Sequence, residues 1–446
     1  MPSRARRTAL AAAVALALSA GTTAVALDRT HSAPATAPSP AATGKWSAAW
    51  AASPQRPSVS FKPNWSEAGF DDHTVRQVVR VTAGGTQARI RLSNAYGTSP
   101  LRVERATVAR TDKGAAVRAG TVRDLTFAGG RSVSVPAGGQ LSSDPAGLRL
   151  TAGDQVTVTL HLKRTTGPAT FHAQSFTDSY RAEGDHASDA SAAAFTESTE
   201  SWYYLSGVDA GVPGTGKDAG TGTPAGPGSD SRTRQRDGIV LFGDSITDGF
   251  ASTPNADRRY SDALAARLKS LGKPRPVLNA GIGGNLVLND SAWFGERATN
   301  RFSRDALDLP GVGTVVVLQG VNDIGFQETD HPLYKPAPDI TGRDLINGHK
   351  ELIRQARAKG VRVVGATLLP LGGSDHYGKR AAAASDEFNA WVRTSGAYDA
   401  YVDFDRALAD PADPERLRPA FDSGDHLHPN DAGYRAMAEA LAPAVL

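Results

Sequence analysis

The chain of 446 residues contains no cysteine. That excludes disulfides, thiol nucleophiles, thiolate-bound zinc and lipid attachment through sulfur. Stability has to come from burial, which a chain of this length can supply. Excess charge of one sign is also missing: 49 Lys and Arg face 46 Asp and Glu, a net charge of +3. The basic residues are scattered, and no basic block is interleaved with aromatics, so nucleic acid is not an expected partner. Long apolar runs are absent too. The best candidate, residues 8–20, falls short of the ~20 residues needed to span a bilayer. Stable membrane insertion is therefore not expected.

What precedes and follows that run gives it another meaning. Arg4, Arg6 and Arg7 form a positive start, and Ala24-Val25-Ala26 is a small-residue cleavage pattern. Residues 1–26 thus read as a secretory signal, and the protein as secreted and extracellular. Residues 27–44, rich in Ala, Pro, Ser and Thr, read as a disordered spacer. Residues 45–208 carry a β pattern. In 86–92, Ala88, Ile90 and Leu92 alternate with Gln87, Arg89 and Arg91, and 155–162 alternates in the same way. Weaker strands are expected at 75–81, 101–108 and 132–135. Gly-containing turns separate them, so a small antiparallel sandwich with one wet face per sheet is expected. No catalytic cluster stands out in this half, and Trp46 and Trp50 read as sandwich packing. Residues 209–236 are dominated by Gly, Ala, Thr, Asp and Pro and read as a linker.

From residue 237 to 446 the pattern changes to alternating strands and helices. Strands are expected at 239–242, 277–279, 314–318, 361–367 and 401–404. Helices are expected at 260–271, 341–359, 381–394 and 431–441, with a capping box at Thr341 and Asp344. Such alternation predicts a parallel sheet with helices on both faces. In that architecture ligands sit at the carboxyl edge of the strands. Four segments fall there: Gly243-Asp244-Ser245, Gly281-Ile282-Gly283-Gly284-Asn285, Gly320-Val321-Asn322-Asp323 and Asp425-His426-Leu427-His428.

Their chemistry is complementary. A serine hydroxyl is a weak nucleophile until a histidine takes its proton, and the histidine needs a carboxylate to fix its tautomer. Ser245, His428 and Asp425 supply the three groups, with activity expected to fall in acid as the imidazole protonates. Asp425 lies three residues from His428, within reach of one turn. The Ser245 and Gly284 N–H groups and the Asn322 amide can receive an oxyanion. His426 is the rival base, expected instead to be exposed or structural. Asp244 and Asp248 are expected to shape the nucleophile turn, and Asp323 to support the Asn322 loop. Trp293 and Phe294 read as loop packing, with a pocket wall as the second reading. His331 and His376 are expected to be solvated. No residue spacing suggests a metal, and the chemistry needs no cofactor.

The four segments resemble the blocks of the GDSL, or SGNH, hydrolases, a family of esterases and lipases, over about half of the chain. The resemblance implies a flavodoxin-like parallel sheet. It implies Ser245 as nucleophile, His428 and Asp425 as base and acid, and Ser245, Gly284 and Asn322 as oxyanion donors. The β-rich half more loosely resembles the accessory region of secreted members linked to plant cell-wall polysaccharide. The expected substrate is then a small-molecule or polysaccharide ester, acetyl esters first. A lipase or phospholipase for longer acyl chains is the alternative, and an inactive glycan-binding protein a third reading. The oligomeric state is not readable from the sequence.

Overall fold

Residues 44–59, 61–213 and 236–446 are described by the computed structural model. The signal segment, nearly all of the spacer and most of the linker lie outside the described residues. These described residues fall in one compact unit.

The N-terminal half is built mainly on two antiparallel sheets. One orders Gly44–Ala51, Leu205–Pro213, Gln87–Ser93 and Gln140–Ser142. The other places His73–Arg80 between Ser179–Glu183 and Gln155–Leu162, with Arg105–Arg110 beyond. Ala88, Ile90 and Leu92 from the first sheet and Val156, Val158 and Leu160 from the second share one buried cluster. The alternation in the sequence therefore marks the inner face of a sandwich.

Two features depart from the sequence reading. The second sheet has no wet outer face at its centre: Thr157, Thr159 and His161 are buried as well. A loop over residues 185–195 covers them, and Arg76 pins it. Buried Arg76 donates to the carbonyls of Ala115, His186, Asp189 and Ser191, and its guanidinium lies 3.9 Å from the centre of the Phe195 ring. Residues 209–213, read from composition as linker, are strand. Ladder partners on both sides, Gly44–Ala51 and Gln87–Ser93, hold this Gly- and Ala-rich stretch extended.

The C-terminal half is a parallel five-stranded sheet. Its order is Val277–Gly281, Gly238–Gly243, Val312–Leu318, Arg362–Ala366, Ala400–Val402. This is the flavodoxin-like 2-1-3-4-5 order, whose ligands bind where the strand sequence reverses, outside the carboxyl end of the first strand. Helices Tyr260–Ser270, Gly342–Ala358, Lys379–Thr394 and Asp431–Val445 cover it. The capping box at Thr341 and Asp344 is present. Among the described residues, no helix is long and apolar enough to cross a membrane.

The halves interlock. Ala48 and Ala51 join the core of the α/β half. The Ala48 N–H donates to the Pro310 carbonyl at 2.9 Å, and the Thr82 hydroxyl to the Val277 carbonyl at 2.8 Å.

Candidate active site

The buried strand Gly238–Gly243 stops at a turn that only certain residues permit. A Cβ on Gly243 would lie 2.1 Å from Thr247 Oγ1 and 2.3 Å from the Leu318 carbonyl oxygen. Asp244 caps the following short helix, Ser245–Asp248, by accepting from the Ile246 N–H at 3.1 Å. Ser245 is the first residue of that helix, so its own N–H stands outside the helical ladder. Its Oγ lies 2.8 Å from His428 Nε2.

His428 sits on the turn before helix Asp431–Val445, whose cap is Asn430, accepting from Ala432 and Gly433. Asp425 binds the histidine twice. Its Oδ1 accepts from the His428 backbone N–H at 2.9 Å, and its Oδ2 faces His428 Nδ1 at 2.6 Å. The carboxylate is an acceptor only, so Nδ1 carries the proton and Nε2 presents a lone pair to the serine hydroxyl. Burial alone would raise the Asp425 carboxyl. The hydrogen bond and charge of His428, with the N–H groups of the turn, hold it well below the usual range instead. Phe250 leans on the imidazole with ring centres 4.4 Å apart. His426 is exposed, pairs with Asp422 at 2.6 Å, and does not join Ser245.

The second and third segments converge on the serine side. Gly284 adopts φ +71°, and a Cβ there would lie 2.3 Å from Phe294 Cδ1. Its N–H meets no acceptor among the described residues. Asn322 is buried on the short helix Val321–Gly325. Its Nδ2 donates to the Asn285 carbonyl at 3.1 Å, which leaves the second amide hydrogen uncommitted. Asp323 ties this segment to the second one rather than to its own loop, accepting from the N–H groups of Val287 and Leu288. Burial pushes the Asp323 carboxyl up to about 7.

His376 is a correction. Expected to be solvated, it is buried, and its Nε2 faces Asn322 Oδ1 at 3.2 Å. Gly325 makes the space: a Cβ there would lie 2.2 Å from the His376 ring. Asp375 holds the other ring nitrogen at 2.8 Å, and that bond keeps the Asp375 carboxyl below its ordinary value. The amide of Asn322 is thus gripped at both ends. His331 is exposed. Phe294 belongs to an aromatic cluster with Phe61, Phe326 and Tyr334 and also lies against Gly284, so it packs under the loop and borders the site at once. Trp50 packs edge-on against Trp202, also as expected.

Sequence reasoning also missed Arg301. Wholly buried, it donates to the carbonyls of Gly243 (2.8 Å) and Ala280 (2.9 Å), to Asn285 Oδ1 (2.9 Å) and to Ser53 Oγ (3.3 Å). It fastens the ends of two strands, the glycine loop and the β half together. Burial lowers its pKa to about 10. No local pattern marks it. The β half, where no cluster was expected, also contributes His172 against Asp248 and Gln174 against Gly283. Among the described residues, no group of three His, Asp or Glu side chains is placed to hold a metal ion.

A parallel sheet in this order, with serine, imidazole and carboxylate in hydrogen-bond sequence at its carboxyl edge, is the build of a serine hydrolase. Residues 241–436, somewhat less than half of the chain, match the model of the GDSL-like lipase/acylhydrolase family, and the match supports a carboxylic ester hydrolase. No curated protein matches the chain. Among solved structures it is similar to a putative lipolytic protein of the G-D-S-L family from Desulfitobacterium hafniense DCB-2. That match has 19% identity and TM-score 0.35, covering 47% of this chain and 99% of that one. It is similar to the acetyl xylan esterase AlAXEase, with 20% identity and TM-score 0.36, covering 47% and 100%. It is also similar to a variant of Axe2, an acetyl xylan esterase from Geobacillus stearothermophilus, with 19% identity and TM-score 0.37, covering 47% and 94%.

Proposed function

We propose that this protein is a secreted serine esterase that removes short acyl groups, acetyl first, from hydroxylated substrates such as polysaccharides. One observation carries the catalytic part: the unbroken hydrogen-bond sequence Ser245–His428–Asp425, at 2.8 and 2.6 Å. Ser245 Oγ attacks the ester carbonyl as His428 Nε2 takes its proton. The carbonyl oxygen becomes an oxyanion and is received by the N–H groups of Ser245 and Gly284 and by the Asn322 amide. The intermediate collapses, His428 hands the proton to the departing alcohol, and the acyl group stays on Ser245. A water then gives a proton to His428 as it attacks the acyl-enzyme, and His428 returns that proton to Ser245 Oγ as the acid is released.

One feature favours a short acyl group. Phe294 presses on Gly284 and is backed by Phe61, Phe326 and Tyr334, so the wall beside one proposed donor is closed by rings. Export rests on the charge, apolar and small-residue pattern of residues 1–26.

A chain-length series of p-nitrophenyl esters tests the acyl preference. Acetate and propionate should give the highest kcat/KM, and a preference for eight carbons or more would replace this reading with the lipase one. A fluorophosphonate should label Ser245 in the folded protein. Absence of the adduct would favour the binding-protein reading. Recovery of the protein from culture medium, beginning near residue 27, tests export.

A further inference from the structure

Resting on the esterase reading above, we propose that His172, from the β half, is a positioning residue of the active site. As an imidazolium it holds the Asp248 carboxylate, and Asp248 in turn fixes the loop that carries the Gly284 N–H.

The hydrogen bonds define the charge state. His172 Nδ1 lies 2.9 Å from the Ser53 carbonyl oxygen, and Nε2 lies 3.0 Å from Asp248 Oδ1. Both partners only accept. A neutral imidazole has one N–H, and would set a lone pair against one of them. The ring is also held in plane: it stacks on Trp202, centres 5.4 Å apart, and the Trp202 indole donates to the Val78 carbonyl.

Asp248 divides its two oxygens. Oδ1 takes His172, and Oδ2 accepts from the Gly283 N–H at 3.1 Å. Gly283 precedes Gly284, so this bond sets the direction in which the Gly284 N–H points. The arrangement has an electrostatic side as well. Asp248 ends the nucleophile helix, and a bare buried carboxylate beside a developing oxyanion would oppose it. Paired with an imidazolium, the carboxylate keeps its grip on the loop with its charge balanced.

Other charged groups around the ring are accounted for. Arg259, from the start of helix Tyr260–Ser270, faces it as a second cation. It is held by Asp262 at 3.0 Å and Asp257 at 3.6 Å, and Arg80 lies 3.8 Å from Asp262. Burial and Arg259 both disfavour a charged ring. Asp248, with the Ser53 carbonyl, outweighs them, and the His172 pKa lies above the ordinary imidazole value. The proton is therefore kept to higher pH than on an ordinary imidazole and is lost as pH rises through that raised value. Activity should then show an alkaline limb.

The test is p-nitrophenyl acetate hydrolysis by the full chain, with kcat expressed per serine titrated by fluorophosphonate. His172→Gln keeps donors but no charge. Its kcat should fall about tenfold or more, with KM within twofold. Asp248→Asn lets a neutral His172 satisfy every partner, so this variant should lose the alkaline limb. His172→Gln/Asp248→Asn should be at least fivefold more active than His172→Gln alone. The proposal is overturned by a His172→Gln kcat within twofold of the unsubstituted enzyme, or by a double variant no better than the single one. If His172→Gln does not fold, Asp248→Asn decides: an alkaline limb that persists there overturns the proposal. Failure of the unsubstituted protein to label or to turn over would instead sink the esterase reading itself.

Discussion

Gly284 is the residue with least freedom to change. Alanine there would have to adopt φ +71° and place its Cβ 2.3 Å from the Phe294 ring. Either the ring or the backbone must shift, and the backbone carries a proposed oxyanion donor. Gly284→Ala should lower kcat on p-nitrophenyl acetate by about 10²-fold, while labelling of Ser245 in the folded protein persists at a lower rate. A kcat within threefold would remove Gly284 from the donor set. Asp244 supports a different measurement. Burial, with a contribution from Asp323 against the offsetting Ile246 N–H, pushes its carboxyl up to about 7. In the unfolded chain it titrates near the ordinary value of about 3.9. Between roughly pH 4 and 7 the folded protein holds a proton that the unfolded one releases, so this group's contribution to stability falls as pH rises through that window. Asparagine cannot ionise. Asp244→Asn should therefore gain stability relative to the unsubstituted chain between pH 5 and 8, on the order of 2 kcal/mol in urea melts. A difference independent of pH would contradict the buried-carboxyl assignment.

Elements carry the site through their ends. Ser245 follows one strand, Gly284 the next and Asn322 the third, while His428 precedes the last helix. Helix Asp431–Val445 begins three residues beyond His428, and Asn430 caps it through two N–H groups. Asn430 also donates to the Ala420 and Asp422 carbonyls, which fastens the turn that carries His428 to the helix. Asn430→Ala should cost about 1 kcal/mol of stability and lower kcat. The cap at Thr341 provides the control: Thr341→Ala should cost a similar amount and leave kcat unchanged. Equal effects of the two on kcat would mean that helix capping does not steer His428. These elements were legible because each has a local signature. The strand cores are runs of Val, Ile and Leu, and the capping residues sit where the helical pattern starts. The strand at 205–213 was only partly legible, since Gly207, Ala210 and Gly211 gain their extended form from neighbouring strands.

At the scale of the whole molecule the two halves act together. His172 against Asp248, Ser53 against Arg301 and Thr82 against Val277 cross between them. Ala48 and Ala51 are part of the α/β core. A chain beginning near Ser231 should therefore lose most of its activity on soluble p-nitrophenyl acetate, by about tenfold or more, as well as on polymeric substrate. Full activity on the soluble ester with loss only on the polymer would make the β half a separate binding module. His376 and His172 show why composition could not reveal this. Each is an isolated histidine in a stretch with no periodic pattern, and its partner lies 54 or 76 positions away. By itself the sequence determined the two pattern regions, the parallel order of chemistry-bearing turns and the choice of Ser245, His428 and Asp425 as candidate site residues, because strand period, turn chemistry and motif spacing are local. Only the tertiary structure decided which histidines are buried, what Arg301 binds and that the β half reaches the Gly283–Gly284 loop. Those depend on contacts between distant segments, and desolvation gives a lone side chain its role only once the surfaces have closed over it.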